Sequence, residues 1–310
     1  MANPIRNFSQ RYPMLSFLLL TLLITWGCVV AVAAGTAGLL PFKPSMLWMA
    51  FVGQFGPAYA AIILAALASG RGGVGALLRS ARRPRFGKGP WAVIVVVPPL
   101  AFFAAYLVHI VAGGEAIAFA ATDWSQFAIT LAAGSVIGLI FGGFSEEPGW
   151  RGWLLPRLQG RVSPLVASLV VGVIWSLWHL DPDVVAAGMT RGWGAFLAEW
   201  WQYQSAFLPR TVAFAILMTA LYNRTGGNLF SMMAVHSVSN AFETAIPESW
   251  TGLGATMVAS RVAVDYVLAF VLLALWRRHA AVVESGGPAR PVATEGMRCA
   301  DPSPTALTVA

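Results

Sequence analysis

The chain has 310 residues, of which 57% are hydrophobic and only 11% are charged, with a formal net charge of +7. Soluble domains carry about 25% charged residues, so this composition argues strongly against an ordinary soluble enzyme. The long aliphatic runs also argue against a disordered chain. The two cysteines, Cys28 and Cys299, do not indicate a disulfide framework. What remains is a membrane protein that crosses the bilayer several times.

Eight apolar runs approach the length of about 20 residues that crosses a ~30 Å hydrocarbon core. They predict an all-α polytopic transmembrane helix bundle with about eight spans. The predicted spans are about 14–40, 45–69, 90–112, 126–145, 163–180, 207–222, 229–246 and 259–276. The first run resembles a signal peptide but is longer than a usual one, so we expect it to be retained. We assign residues 1–279 to one transmembrane domain and residues 280–310 to a disordered cytoplasmic tail.

Positive charge is unevenly distributed over the predicted loops. With the N-terminus inside, 16 Arg and Lys residues fall on the inner side and 4 on the outer side. Cytoplasmic loops of membrane proteins are enriched in Arg and Lys. We therefore expect both termini in the cytoplasm, the lipid bilayer as the partner of the basic surface, and no nucleic acid.

A first cluster of charged residues, Glu146, Glu147 and Arg151, directly follows the fourth predicted span. Ionisable side chains in a membrane are costly and are functional candidates by default. Glu147 and Arg151 lie four residues apart and can pair, which leaves Glu146 free for chemistry. A buried site requires the helix to continue to about Leu158, and a solvated cytoplasmic loop is the alternative.

Small residues precede this cluster at a helical spacing. Gly134, Gly138 and Gly142 recur every four residues, and Glu146 falls on the next step of the same face. Glycines at this spacing let another helix approach closely. The pattern predicts that Glu146 points into the bundle and not at lipid.

Two further polar clusters lie inside later spans. Trp175 and His179 share a face of the fifth span, and His236 and Asn240 project together from the seventh. A histidine that only packs, or a hydrogen-bonding pair that joins two helices, is the alternative for each cluster.

In chain order the three clusters read Glu-Glu-x-x-x-Arg, aromatic-x-x-x-His and His-x-x-x-Asn. Together they resemble the motifs of the CPBP family, the CAAX proteases and bacteriocin-processing proteins, also called ABI proteins. The Ras-converting CAAX endopeptidase is a relative. The resemblance covers about residues 126–246. Trp175 stands where the family usually has Phe, and Asp181 where it often has Pro, but neither change removes a catalytic group.

The resemblance implies an intramembrane endopeptidase. Glu146 and His179 would activate a water molecule, because a carboxylate in a water-poor pocket is a stronger base. His236 and Asn240 would stabilise the oxyanion. The ion pair of Glu147 and Arg151 would hold the site together, or Arg151 would bind a substrate carboxylate. The implied catalytic residues are Glu146, Glu147, Arg151, His179, His236 and Asn240.

Cofactor and substrate stay open at this point. Glu146, His179 and His236 could bind zinc or another divalent metal with an open position for water, and a metal-free mechanism uses the same residues. The resemblance implies a membrane-associated peptide or protein substrate, either CAAX-like and prenylated or a bacteriocin-like precursor. We expect a bacterial plasma membrane protein whose site opens toward the cytoplasm.

Two other functions are compatible with this sequence. A non-catalytic membrane scaffold or immunity protein would bind a peptide in the same polar cavity. A small-solute transporter is the third hypothesis, and the absence of internal repeats argues against it.

Other polar and aromatic residues receive structural interpretations. We expect Arg210 to extend toward the membrane interface, and Arg261 to pair with Asp265 four residues later. The aromatic residues of segment 193–203 predict an interfacial outer loop.

Overall fold

A computed structural model describes residues 4–250 and 252–284, and all regular elements within these ranges are helices. In chain order they are α1 (Pro4–Arg11), α2 (Pro13–Thr36), α3 (Met46–Trp48), α4 (Gly56–Arg79), α5 (Lys88–Val111), α6 (Trp124–Gly138), α7 (Ser145–Gly149), α8 (Leu155–Gln159), α9 (Pro164–Trp178), α10 (Pro182–Arg191), α11 (Trp193–Arg224), α12 (Leu229–Ala245) and α13 (Gly254–Glu284). Short π-helical segments are Met49–Gly53, Leu139–Phe144 and Trp150–Leu154, and short 3-10 segments are Ser80–Arg82, Phe119–Ala121 and Glu248–Trp250.

The helices confirm a polytopic bundle. Within the described ranges, six helical segments are long and apolar enough to cross a membrane, and a seventh follows if α9 and α10, which meet at a bend of 55°, form one span. The remaining predicted span corresponds to α12, which has 17 residues. Helix α13 runs to Glu284. The predicted disordered tail, 280–310, thus begins within this helix, and its part from residue 285 onward lies outside the described residues and stays a prediction.

The aromatic segment 193–203 is helical, and the prediction of a loop there is wrong. Helix α11 begins at Trp193 and continues through Pro209 to Arg224. Gln204 fixes this part of α11 to α9, because its amide accepts a 2.6 Å hydrogen bond from the Ser176 hydroxyl and donates a 3.1 Å one to the Ser176 carbonyl. Satisfying a buried amide in this way stabilises the packed helix.

The fourth span continues to Gln159, as a buried site requires, but it is broken inside the bundle. The break lies at Phe141 (φ −94°, ψ 101°) and Gly142 (φ 109°, ψ −66°). Gly142 occupies a region of φ that favours glycine. Pro148 lies within α7, so close to the start of the new segment that it interrupts little hydrogen bonding.

Helix α6 packs tightly against α12. A Cβ atom on Gly138 would lie 2.6 Å from the Ser237 hydroxyl oxygen, and one on Gly134 would lie 3.1 Å from the Ala241 Cβ. The close approach predicted from these glycines is therefore present. It brings α12, which carries His236, against the segment that carries the two glutamates.

At one end of the bundle, two loops are joined by polar contacts. The Ser80 hydroxyl donates to the Gly227 carbonyl at 2.9 Å and accepts from the Leu229 amide at 2.7 Å. The Asn228 side chain donates to the Arg83 carbonyl at 2.9 Å. The loop that leads into α5 and the turn that leads into α12 thus lie at the same end.

At the opposite end, Asp123 caps α6. Its carboxylate accepts from the Ser125 hydroxyl at 2.5 Å and from the Ser125 and Gln126 amides at 3.0 Å each. The hydrogen bond from the Ser125 hydroxyl, with those from the amides, lowers the pKa of Asp123 from its usual value. The cap satisfies amides at the helix start that have no partner within the helix.

We predict that Gly138→Ala destabilises the bundle, because the new methyl group meets Ser237 and separates α6 from α12. The expected loss is about 1–3 kcal/mol in the free energy of unfolding. Gly72→Ala is the matched control, because in the described part of the chain a Cβ on Gly72 in α4 would meet no atom within 4 Å beyond its chain neighbours and the adjacent helix backbone. This variant should gain about 0.5–1 kcal/mol. Unfolding of both variants in detergent checks this, and a gain for Gly138→Ala would contradict the packing.

Candidate active site

Glu146 is buried and hydrogen-bonded by indole groups. Its Oε2 accepts from Trp175 Nε1 at 2.6 Å and, more weakly, from Trp150 Nε1 at 3.4 Å. The residue is only 3% exposed. The sequence predicts no partner for Glu146, whereas in the structure two indole N–H groups hold its carboxylate. The first of these donors exists because position 175 is Trp, since a Phe ring has no N–H.

Glu147, Arg151 and His236 form a buried group of charged side chains that we call the ionic cluster. Glu147 lies at its centre. Its Oε1 accepts from Arg151 Nη1 at 2.9 Å and from His236 Nδ1 at 2.7 Å. The predicted pair of Glu147 and Arg151 is therefore present. The Arg151 guanidinium also lies 4.2 Å from the centre of the Trp175 ring, a favourable cation–π arrangement.

Both histidines are held through the same ring nitrogen. His236 Nδ1 faces the Glu147 carboxylate, and His179 Nδ1 lies 2.8 Å from the Trp175 carbonyl oxygen. A carboxylate or a carbonyl oxygen only accepts, so Nδ1 carries the proton in each ring. The Nε2 atom of each histidine is thereby left for chemistry.

The broken helix brings its backbone against the second histidine motif. A Cβ on Gly142 would lie 3.3 Å from Asn240 Nδ2 and 3.4 Å from His236 Nε2. The Gly142 amide donates to the Ser145 hydroxyl at 2.7 Å, which fixes the turn. These two side-chain nitrogens therefore flank one short stretch of backbone.

A cavity of about 380 Å³ adjoins these groups. Trp175, His179, His236 and Asn240 belong to its wall, whereas Glu146 does not. The Trp175 indole, which bonds to Glu146, thus separates that carboxylate from the cavity. The structure brings all six predicted residues into one region, with three of them at the cavity and the carboxylates and Arg151 behind its wall.

Four charged residues form another part of the cavity wall, and we call them the charged quartet. Glu243 Oε1 binds Arg210 Nη2 at 2.9 Å and Arg261 Nη2 at 2.6 Å. Asp265 Oδ1 binds Arg261 Nε at 3.0 Å, and its Oδ2 binds Arg210 Nε at 3.4 Å. The predicted pair of Arg261 and Asp265 is confirmed. Arg210 joins the quartet with a side chain that is 35% exposed, and its extension toward the membrane interface stays a prediction.

Sequence reasoning missed Glu243, although a signal for it was present. His236, Asn240 and Glu243 follow each other at spacings of four and three residues, so they share one face of a helix. A carboxylate that continues the face of a histidine motif inside a membrane is a functional candidate.

The donor set for a metal is incomplete. In the described ranges, no group of three His, Cys, Asp or Glu side chains is arranged to hold a metal ion. Glu146 Oε2 is bound to Trp175, and the wall that carries His179 and His236 does not include Glu146. The side chains therefore do not fit the zinc site considered from the sequence, and we assign no step to a metal.

We predict that Arg151→Ala lowers the free energy of unfolding by about 3–5 kcal/mol, because it leaves Glu147 as an unpaired buried charge. Arg191→Ala is the control. Arg191 pairs with Glu199, but these side chains are 60% and 36% exposed, so the expected loss is about 0–1 kcal/mol. Denaturant unfolding in detergent compares the two, and equal losses would contradict the importance of burial.

Trp175→Phe tests the indole hydrogen bond to Glu146. We expect a loss of about 1–3 kcal/mol in the free energy of unfolding, since a buried carboxylate loses its donor. The control is Trp91→Phe, because Trp91 is 37% exposed and donates to the Pro84 carbonyl at 3.2 Å. That variant should stay within about 0.5 kcal/mol of the parent protein. A Trp175→Phe protein as stable as the control would refute the assigned role of the indole.

Comparison with known proteins supports the motif interpretation. Residues 133–242, which contain all six predicted site residues, match the model of a family described as Type II CAAX prenyl endopeptidase Rce1-like. CAAX prenyl protease 2 of Methanococcus maripaludis is 32% identical over 87 residues, which are 28% of this chain and 32% of that protein. The match thus spans about a third of the relative's length. The resemblance inferred from the three motifs is confirmed, and across residues 133–242 the chain is similar to the Rce1-like CAAX prenyl endopeptidases.

Proposed function

We propose that the protein is an intramembrane endopeptidase that adds water to a peptide bond of a membrane-associated substrate. The observation that carries the proposal is the cavity wall. His179, His236 and Asn240 meet there, directly beside the buried carboxylates. The Methanococcus relative is named a CAAX prenyl protease, which supports the same class of reaction.

Glu146 and His179 activate the water. His179 carries its proton on Nδ1, so the Nε2 lone pair of the neutral ring is available to accept a proton from water. The water oxygen bonds to the carbonyl carbon as one water proton passes to His179 Nε2, and the negative charge of Glu146, behind the Trp175 indole, favours the imidazolium that forms. When the carbon–nitrogen bond breaks, this proton is returned to the departing amine.

Asn240 and His236 stabilise the oxyanion that forms on the carbonyl oxygen. Asn240 donates from Nδ2, which lies beside Gly142 together with His236 Nε2. His236 donates from Nε2 when its ring is an imidazolium, and the Glu147 carboxylate at Nδ1 favours that form. Donors fixed before the reaction stabilise a developing charge without reorganisation.

Glu147 and Arg151 position the site. Arg151 is fully buried, and it contacts Glu147 and the Trp175 ring. The cavity wall does not include it. A positioning role therefore fits better than direct contact with a substrate carboxylate, the other role considered from the sequence.

The substrate that we propose is a segment of a membrane-associated peptide or protein. Much of the cavity wall is apolar, with Val97, Leu217 and Leu268 among its residues, while the charged quartet gives it one polar region. A CAAX-like prenylated chain and a bacteriocin-like precursor both match this combination. We place the protein in a bacterial plasma membrane, where such precursors meet the bilayer.

Binding without cleavage is the second candidate function. Trp175 separates Glu146 from the cavity, so the cavity can hold a peptide without contact to that carboxylate. A membrane scaffold or immunity protein would use this arrangement, and its function would survive the loss of the Glu146 charge.

We predict that Glu146→Gln lowers peptide cleavage by at least about 100-fold, the scale of losing one electrostatic stabiliser, because the imidazolium that forms on His179 loses the neighbouring negative charge. The amide oxygen of Gln can still accept from Trp175, so the fold should persist. Mass spectrometry of host membranes, with wild type and variant at equal expression, measures the products and their precursors. Glu199→Gln, at an exposed pair outside the cavity, is the control and should leave the profile unchanged.

Products that vanish and precursors that accumulate in Glu146→Gln, but not in Glu199→Gln, identify the substrate. Identical profiles in a well-folded Glu146→Gln protein would overturn the proposed protease function and favour the scaffold.

A further inference from the structure

One end of the bundle is strongly basic. The loop between α4 and α5, the loop between α8 and α9, and the last turn of α11 converge there, because Ser80 bonds to Gly227 and Asn228 bonds to Arg83. A Cβ on Gly152 would also lie 2.8 Å from Leu77, near the end of α4. The basic residues of this end are Arg79, Arg82, Arg83, Arg85, Lys88, Arg157, Arg161 and Arg224.

The opposite end carries mostly acidic residues. The loops after α2, α5, α9 and α12 and the first half of α11 lie there. Their acidic residues are Glu115, Asp123, Asp181, Asp183, Glu199 and Glu248, and their basic residues are Lys43 and Arg191. Arg and Lys mark the cytoplasmic side of a membrane protein. The basic end is therefore assigned to the cytoplasm.

The cavity opens away from the basic end, as exposure along α12 indicates. This helix starts at the basic end, and along its cavity face His236 is 3% exposed, Asn240 is exposed and the Glu243 side chain is 37% exposed. Solvent access thus increases toward the C-terminal end of α12.

Two other helices show the same direction. Along α9, which also starts at the basic end, Trp175 is 4% exposed and His179, just beyond the last helical residue, is half-buried. Along α11, which ends at the basic end, Leu217 is 4% exposed and Phe207, farther from that end, is half-buried. Exposure along α12, α9 and α11 therefore places the closed floor of the cavity toward the basic end and its mouth toward the other end.

The position of the charged quartet agrees with this direction. Glu243 lies 14 residues after the start of α12, or about 21 Å along the helix. In a hydrocarbon core of ~30 Å, charges at that depth are costly unless water reaches them. The side chains of Arg210 and Glu243 are 35% and 37% exposed, and the cost of placing such charges against lipid favours entry of water from the end of the bundle that is farther from the basic loops.

We propose that the candidate active site is entered from the non-cytoplasmic side of the membrane. The sequence alone suggested a site that opens toward the cytoplasm, together with cytoplasmic termini, and the exposure of the cavity walls is incompatible with that combination. The direction of entry rests on exposure and charge. Only the identity of what enters rests on the proposed function: a peptide segment presented at the non-cytoplasmic face, such as part of an exported precursor.

Thiol labelling in membrane vesicles tests the direction of entry. The starting protein is the full chain with Cys28→Ala and Cys299→Ala, which removes both natural thiols. Ser239→Cys reports on the cavity wall, and Arg85→Cys reports on the basic loop. A membrane-impermeant maleimide is added to right-side-out and to inverted vesicles, and detergent-solubilised samples define complete labelling.

We expect Ser239→Cys to be labelled in right-side-out vesicles and Arg85→Cys in inverted vesicles, each with little labelling in the other preparation. Glu243→Cys, which lies nearer the mouth of the cavity, should be labelled in the same vesicles as Ser239→Cys. Labelling of the cavity variants from the same side as Arg85→Cys would overturn the proposal. So would cavity variants that react in detergent but from neither side of the vesicles.

The labelling needs no catalysis, so the same variants are measured with Glu146→Gln added. If sidedness persists in a protein that proves to cleave nothing, the direction of entry stands and the protease proposal falls. If cleavage is established but sidedness is reversed, the protease proposal stands and the direction of entry falls.

Discussion

The arrangement of the site depends on an ionic cluster buried within an apolar bundle. Glu147 and Arg151 are fully buried and His236 is 3% exposed, so the free energy of removing them from water has to be offset by contacts among themselves. That compensation is incomplete, because Glu147 Oε2 and the Nε and Nη2 atoms of Arg151 have no hydrogen-bond partner among the residues that the structure describes. Replacing such ion pairs by apolar residues often stabilises a protein. A cluster like this is therefore more readily explained by function than by stability.

The backbone around the ionic cluster is irregular on both sides. The π-helical segment Leu139–Phe144 precedes the glutamates, and Trp150–Leu154 follows them. Such segments occur frequently at functional sites, where they redirect side chains that a regular helix would place elsewhere. Here the break at Gly142 lets α12 approach and turns Glu146 toward α9, where Trp175 donates to it. The same break that costs the helix hydrogen bonds therefore places the carboxylates.

Much of this organisation follows from the sequence, because it depends on short-range spacing. The pairs Glu147–Arg151 and Arg261–Asp265 are four residues apart, and the glycines that face α12 repeat every four residues, so helical geometry alone brings them together. Contacts between distant spans could not be predicted in the same way. The bond from Trp175 to Glu146 joins residues 29 positions apart, and the partners of Arg210 lie on α12 and α13. Those contacts depend on the relative rotation of whole helices, which the pattern of one segment does not specify.

The charged quartet connects the last span to the candidate site. Arg261 and Asp265 belong to α13, while Arg210 belongs to α11 and Glu243 to α12. Because apolar helices gain little from contacting each other in lipid, interhelical polar contacts contribute to holding a span in place. These same contacts form part of the cavity wall. The attachment of the last span and the shape of the cavity therefore depend on the same contacts.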